Sequence, residues 1–314
     1  MDLMLQVEGL TKRFGLFTAV DSISFNVNRG EVLGFLGPNG AGKTTAMRMV
    51  TGFLTPSAGT AYVGGYDVIT APLEVKRSIG YLPEGAPLYE DMTPLELLDF
   101  IANVRGLTGI KKQEAVTKAA ERINIEHVMH QAIGTLSKGY KRRVGIAQAI
   151  LHDPEILILD EPTDGLDPNQ KHEVRKLINE MAAEKAIVIS THLLDEVDTV
   201  CTRALVIANG EIVADGTPAD LEARSVLHNA VTLRIPREHF ENAKSSLEEI
   251  KDVKQVSEEK KDGTSINFIV YPVDGRLIVD EVSAALRGSN IDVQEIRSER
   301  GRLDEVFRRI TTKA

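Results

Sequence analysis

Gly37–Thr45 reads GPNGAGKTT, and its setting decides the fold. The spacing is Gly37, four residues, then Gly42-Lys43-Thr44. An apolar run, Glu31–Leu36, precedes it, and a helical pattern opens at Gly42 and continues through Phe53. Strand, glycine-rich turn and helix in that order make a phosphate loop. The loop residues Gly37, Pro38, Asn39, Gly40, Ala41, Gly42, Lys43, Thr44 and Thr45 are therefore expected to cradle nucleotide phosphates. Backbone N–H groups turn inward there, and the helix N-terminus adds a favourable field for anions. Lys43 is expected to reach the β- and γ-phosphates, and the Thr44 hydroxyl to ligate Mg²⁺.

The pattern around the loop is α/β. Leu3–Leu10 and Ile23–Val27 read as strands upstream, and Tyr81 closes another. Thr93-Pro94-Leu95-Glu96 is a capping box with proline in the first turn, followed by Leu97, Leu98, Ile101 and Val104 at helical spacing. Lys111–Ile123 reads as a second helix, so Asp91–Ile123 is a helical insert. A further helix follows Ser137, extending the helical subdomain over about residues 91–150. Ile156–Leu159 and Ile187–Ile189 are uninterrupted apolar runs, as expected of strands buried on both faces of a parallel sheet. Asp167-Pro168 caps a helix whose stripe is Val174, Leu177, Ile178 and Met181. Leu205–Ile207 and Glu211–Ala214 read as a hairpin turning at Asn209-Gly210.

Asp160 ends the run Ile156–Leu159, at the sheet edge where α/β proteins bind ligands. It suits a second acidic contact to Mg²⁺, through water. Glu161 follows at once and is placed to orient or deprotonate an attacking water.

The composition changes near Arg224, which sets expected domains at 1–223 and 224–314. The second part reads as strand Val231–Ile235, helix His239–Ile250, strands Val253–Ser257 and Ser265–Val270, helix Leu277–Leu286 and strand Ile291–Arg297, with the middle turn at Asp262-Gly263. That β-α-β-β-α-β order is a small α+β ferredoxin-like domain. A last helix, Leu303–Ile310, follows.

A net charge of −9 argues against an electrostatic grip on nucleic acid, which needs a basic face. The single cysteine, Cys201, lies in an apolar stretch and reads as a small buried hydrophobe. The opening MDLMLQVEGL lacks a basic signal-peptide start, and no apolar run approaches the roughly 20 residues of a membrane helix. A cytoplasmic protein is expected. His127 and His130 have no further ligand nearby in sequence and read as a surface pair.

LSKGYKRRVGIAQAI, beginning at Leu136, resembles the signature segment of the ATP-binding cassette (ABC) ATPases. The resemblance covers residues 3 to about 220. It implies that two nucleotide-binding domains pair head to tail as a homodimer, with each ATP held between one phosphate loop and the other copy's signature. It places Ser137 and Gly139 on the partner's γ-phosphate, His192 of STH as the switch histidine beside that phosphate, and Asp167 of DGLD in the loop that communicates across the dimer. It matches Phe14 in TKRFG to the aromatic that stacks on adenine. Asp167 also has the position of a helix cap. Lys138 sits in a first turn, a poor place for a cation unless an anion arrives.

Two positions depart from the family pattern. LSKGY stands for LSGGQ, so Lys138 and Tyr140 replace Gly and Gln. YLPEG puts Glu84 where the family usually has the glutamine that approaches Mg²⁺ and links the site to a transmembrane partner. The segment from Gly80 to Leu107 and the closing RLDEVFRRIT resemble the ATPases of type-2 exporters and gliding-associated systems. The resemblance thus implies the ATPase subunit of an exporter, held by a separate permease at the cytoplasmic face of the membrane. Leu88, Tyr89 and Met92 are candidates for the groove that takes a permease helix, and equally for local packing. A soluble ABC ATPase acting on ribosomes or nucleic acid, and a regulatory subunit with little hydrolysis, are the alternatives.

Overall fold

Three apolar runs supply the centre of one sheet, since every residue of β3 (Val32–Leu36), β7 (Ile156–Asp160) and β8 (Ala186–Thr191) is buried. These strands belong to a computed structural model that describes residues 2–85, 88–262 and 264–313. The chain divides into two compact units, Met1–Thr217 with Thr311–Ala314, and Pro218–Ile310.

In the first unit the remaining strands are β1 (Leu3–Phe14), β2 (Phe17–Asn28), β4 (Ala58–Val63), β5 (Tyr66–Asp67), β6 (Ile79–Leu82), β9 (Arg203–Ala208) and β10 (Glu211–Gly216). The central sheet runs β10-β9-β3-β8-β7-β6, parallel except for β10. Burial on both faces is what leaves these strands without a polar alternation. The β9–β10 hairpin turns at Asn209 and Gly210, both with positive φ (50° and 83°), the geometry of a two-residue turn.

A second sheet, β2-β1-β4-β5, is antiparallel. Its first strands run well past the expected Leu3–Leu10 and Ile23–Val27. Register shifts between Val7 and Leu10 and between Leu10 and Lys12 break the strict alternation that marks a strand in sequence. The short β4 was invisible for another reason, because only Ala61 and Val63 of its residues are buried. Helix α1 (Lys43–Val50) places Met47, Met49 and Val50 in one core with Leu5, Phe25 and Phe35. The Phe25 and Phe35 rings lie 5.3 Å apart.

Helix α2 (Pro72–Ser78), unsignalled by the sequence reading, precedes β6. The helical insert is α3 (Pro94–Val104), α4 (Gly109–Arg122) and, after two 3-10 turns, α5 (Lys138–Ile150). The capping box of α3 is formed, with Glu96 N–H donating to Thr93 Oγ1 (3.2 Å) and Thr93 N–H to Glu96 Oε2 (2.8 Å). Leu97 and Leu98 are buried, whereas Val104 is 67% exposed. The unit is completed by α6 (Pro168–Ala182) and α7 (Leu194–Val200). Cys201 is buried, which pushes its thiol pKa up to about 12.

The second unit contains α8 (Pro218–Glu222), β11 (Val231–Pro236), α9 (Phe240–Glu248), β12 (Val253–Asp262), β13 (Ser265–Pro272), α10 (Val279–Gly288) and β14 (Glu295–Ser298); α11 (Leu303–Lys313) ends the chain. The sheet order is β12-β13-β11-β14, all antiparallel, which is the ferredoxin-like split motif. Leu233, Phe268 and Val270 pack beneath Phe240, Leu247, Val282 and Leu286. The last strand is shorter than expected: Ile291 joins the core, but pairing with β11 begins at Glu295. Gly263 of the expected turn lies outside the described residues.

Candidate nucleotide-binding site

The loop after β3 opens a concavity of 500 Å³ lined by Phe14, Phe17, Ala19, Asn39, Gly40, Gly42, Lys43, Thr44, Thr45, Glu84 and Glu161. Gly37, Pro38 and Ala41, also expected there, do not line it; Gly37 lies against Ile207, and Ala41 is buried against the core. Gly42 has φ 107°, and a Cβ there would meet Ala19 O at 2.5 Å, so this turn admits only glycine. Lys43 is 7% exposed, and its Nζ donates to Gly37 O (2.7 Å) and Pro38 O (3.1 Å). Burial lowers the Lys43 pKa, while Glu161, Asp160 and Glu84 act to raise it. A buried cation among three carboxylates suits a ligand that brings both anions and a counter-cation.

At the mouth, Phe14 and Phe17 are cross-strand partners, 50% and 63% exposed. Exposure of that extent excludes a core role for Phe14. The Lys12 ammonium lies 5.3 Å from the centre of its ring.

Asp160 is 1% exposed and accepts a hydrogen bond from Ser190 Oγ through Oδ1. Its Oδ2 is buried and has no hydrogen-bond partner. Glu161 has φ 52°, a left-handed conformation that is costly for a non-glycine residue. Its N–H donates to Ser190 O (3.1 Å). His192 Nδ1 lies 2.8 Å from Glu161 Oε2. A carboxylate only accepts, so Nδ1 carries the hydrogen.

Ser137, Gly139 and Asp167 are not part of this concavity. They form a second cluster where α5 and α6 begin. Ser137 caps α5, its hydroxyl accepting from Tyr140 N–H (3.3 Å), and Asp167 caps α6 by accepting from Gln170 N–H (2.9 Å). The two caps are neighbours, since a Cβ on Gly139 would sit 2.3 Å from Gln170 Oε1. Ser137 and Lys138 are exposed, and the first turn of α5 holds no acid.

Several residues here carried no readable signal. Phe17, Ser190 and Gln170 are ordinary types whose roles come from folding. Arg142 is 5% exposed and reaches backbone carbonyls of the site. His127 and His130 are exposed, and His127 Nε2 lies 2.9 Å from Tyr140 Oη. Tyr89 is exposed and packs edge-on against Phe100. Leu88, Tyr89 and Met92 do not line the large apolar groove of this unit, which is formed instead by Phe53, Leu73, Ile79, Tyr81, Ile101 and Val104, with Arg48, Lys76, Arg77 and Arg105 among its walls.

Fold and site together define a P-loop nucleotide-binding cassette. The ABC transporter family model matches residues 20–164. Over 312 residues the chain is 33% identical to the uncharacterized ABC transporter ATP-binding protein YdbJ of Bacillus subtilis, covering 98% of this chain and 96% of YdbJ. It is 37% identical over 223 residues to the probable multidrug ABC transporter ATP-binding protein YbhF of Escherichia coli, covering 71% of this chain but only 38% of YbhF. The solved structure of an ATP-binding subunit of an ABC transporter superposes with a TM-score of 0.65 at 31% identity, covering 70% of this chain and 92% of that one. The chain belongs to the ATP-binding subunits of ABC transporters, an ATPase family.

Proposed function

We propose that this chain is the ATP-hydrolysing subunit of an exporter whose membrane span is carried by a separate permease, and that two copies close head to tail on ATP. The observation that carries the reading is the presence of two half-sites on one chain. One is a concave phosphate loop with its acids; the other is the N-terminus of α5, where Ser137 and Lys138 are exposed and the first turn holds no acid.

In this reading Lys43 leaves the Gly37 and Pro38 carbonyls for the β- and γ-phosphates, helped by the loop N–H groups. Thr44 and Asp160 hold Mg²⁺, with Glu84 a third oxygen donor. Asp160 Oδ2, buried and without a partner, fits a cation. A Mg²⁺ ion held there would neutralise charge on the phosphates. Glu161 orients and deprotonates the attacking water, while His192 positions Glu161 and senses the γ-phosphate. Phe14, with Phe17 beside it, stacks on the adenine. Ser137 and Gly139 of the second copy complete the γ-phosphate contacts, and Asp167 lies at the junction. ATP then binds the closed pair better than the open one, and hydrolysis removes the difference.

No helix among the described residues is long and apolar enough to cross a membrane; in this reading a partner supplies the span. The 810 Å³ groove beside β6, apolar with cations on its walls, is where a cytoplasmic helix of the permease docks. That arrangement keeps the chain at the cytoplasmic face of the membrane. The direction of transport is supported by the 36% identity over 219 residues to the Nod factor export ATP-binding protein I of Ralstonia nicotianae.

The test is the oligomeric state of Glu161→Gln by light scattering. A dimer with ATP and a monomer with ADP are expected. Monomers in both, with wild-type turnover per chain independent of protein concentration, would reject the head-to-tail reading.

A further inference from the structure

The three consecutive bases of α5, Lys141, Arg142 and Arg143, reach in three directions. Lys141 Nζ lies 3.0 Å from Glu90 Oε1, in the loop following Glu84. Arg143 Nη2 lies 2.6 Å from Glu173 Oε2 on α6, the helix capped by Asp167. Among the described residues, no carboxylate is in hydrogen-bond contact with Arg142. Its Nη1 donates to Pro83 O (3.3 Å), and its Nη2 donates to Asp160 O and Glu161 O.

Those carbonyls belong to the two segments that carry the acids of the nucleotide site. Pro83 immediately precedes Glu84, and Asp160-Glu161 ends β7. Arg142 thus ties together two stretches of chain far apart in sequence. It also completes the hold on Glu161, whose left-handed backbone is gripped at the N–H by Ser190 and at the C=O by Arg142. A single buried guanidinium is suited to this, because its planar fork donates to several acceptors at once. A guanidinium stays charged in a protein, so Arg142 brings a buried positive charge to the two segments that carry Glu84, Asp160 and Glu161.

We propose that Arg142 is a positioning residue that holds Glu84 and Glu161 in one arrangement, compensates their charge, and couples them to the helix whose N-terminus serves the other copy's nucleotide. The coupling between copies rests on the head-to-tail reading above; the grip on Glu84 and Glu161 does not. Movement of α5, when Ser137 and Gly139 meet the partner's phosphate, is transmitted through one side chain to the acids of its own site.

The test is a mutant cycle on the full chain with Arg142→Gln, Arg142→Lys, Glu84→Gln and the Arg142→Gln/Glu84→Gln pair. Arg142→Gln is expected to lower kcat by about 10- to 100-fold, the effect of losing hydrogen bonds to a charged donor, with KM for ATP within about threefold. Glu84→Gln is expected to cost less activity in the Arg142→Gln background than in wild type. Amide exchange, read without nucleotide, should quicken in Arg142→Gln at Leu82–Gly85 and Asp160–Asp164 together. Arg142→Lys keeps the charge without the fork. It should quicken exchange at one or both segments, and it supplies the reading if Arg142→Gln does not fold. Unchanged exchange at both segments, or independent multiplying effects of the Arg142 and Glu84 substitutions on kcat, would overturn the proposal. A wild-type chain that fails to hydrolyse ATP would strike the proposed function instead, leaving the exchange measurement to judge Arg142.

Discussion

The two half-sites differ in how much of their chemistry the chain supplies internally. The phosphate-loop concavity holds groups of both signs before any ligand arrives, with Lys43 bonded to its own loop and Glu84, Asp160 and Glu161 nearby. The start of α5 is the reverse. It exposes Ser137 and Lys138 and carries no acid in its first turn, and its Tyr140 N–H is held by the Ser137 hydroxyl. A concave site that encloses its own cation and acids can bind a ligand alone, whereas an exposed helix start without an acid gains most from an anion brought from outside. The contrast is the physical basis for reading the first as the place where ATP binds and the second as the part that responds to bound ATP.

The sharpest break of this comparison is at the first half-site. Glu161→Gln and Lys43→Ala should each lower steady-state phosphate release by at least about 100-fold, the scale of losing one charge-stabilising contact in a transition state. Only Glu161→Gln should accumulate ATP-bound dimers, because Lys43 is also needed for binding. At the second half-site, Gly139→Glu forces Gln170 aside and puts a negative charge where the partner's phosphate would arrive. It should abolish ATP-driven dimerisation in light scattering while fluorescent-ATP binding to the monomer persists. If both properties fall together, the two half-sites are not separate.

A third measurement addresses the join between them. His152, just beyond α5, bonds through Nε2 to Ile79 O (3.0 Å) of β6, the strand leading to Glu84. Burial, aided by Arg105, pushes its pKa down to about 4 from the ordinary histidine value of 6.5. The folded state therefore resists protonation more than the unfolded chain does. The stability held by neutral His152 is full above pH 6.5 and is lost as pH falls toward 4, by up to roughly 3 kcal/mol. Thermal melts of wild type should fall more steeply through that window than those of His152→Gln. Phe14→Ala gives the smallest effect. Loss of one stacked ring should weaken ATP binding by about 1 kcal/mol, raising KM several-fold with kcat unchanged.

Legibility followed burial pattern and local geometry. The strands at β3, β7 and β8 could be read because parallel strands covered on both faces are continuous apolar runs. Thr93 and Glu96 announced α3 because a capping box is a local contact between residues three apart. The β1–β2 pair was read short because its bulges scramble the period of two. Leu88, Tyr89 and Met92, next to Glu84 in sequence, were equally candidates for a docking groove and for local packing, while the large apolar groove draws its lining from α1, α2, β6 and α3, which sequence proximity does not bring together.

Local chemistry, carried in runs of a few residues, determined the phosphate loop, the acids at the end of β7, the helix caps and the family. Each depends on neighbours within one turn or one strand end, and such dependence is written linearly. Tertiary structure alone decided that Arg142 reaches Pro83, Asp160 and Glu161, that Gln170 covers Gly139, and that Ser190 holds both Asp160 and Glu161. Those contacts join residues 18 to 59 positions apart, 31 for the Gly139–Gln170 pair, and their partners are largely backbone atoms, which every residue carries and no sequence pattern distinguishes.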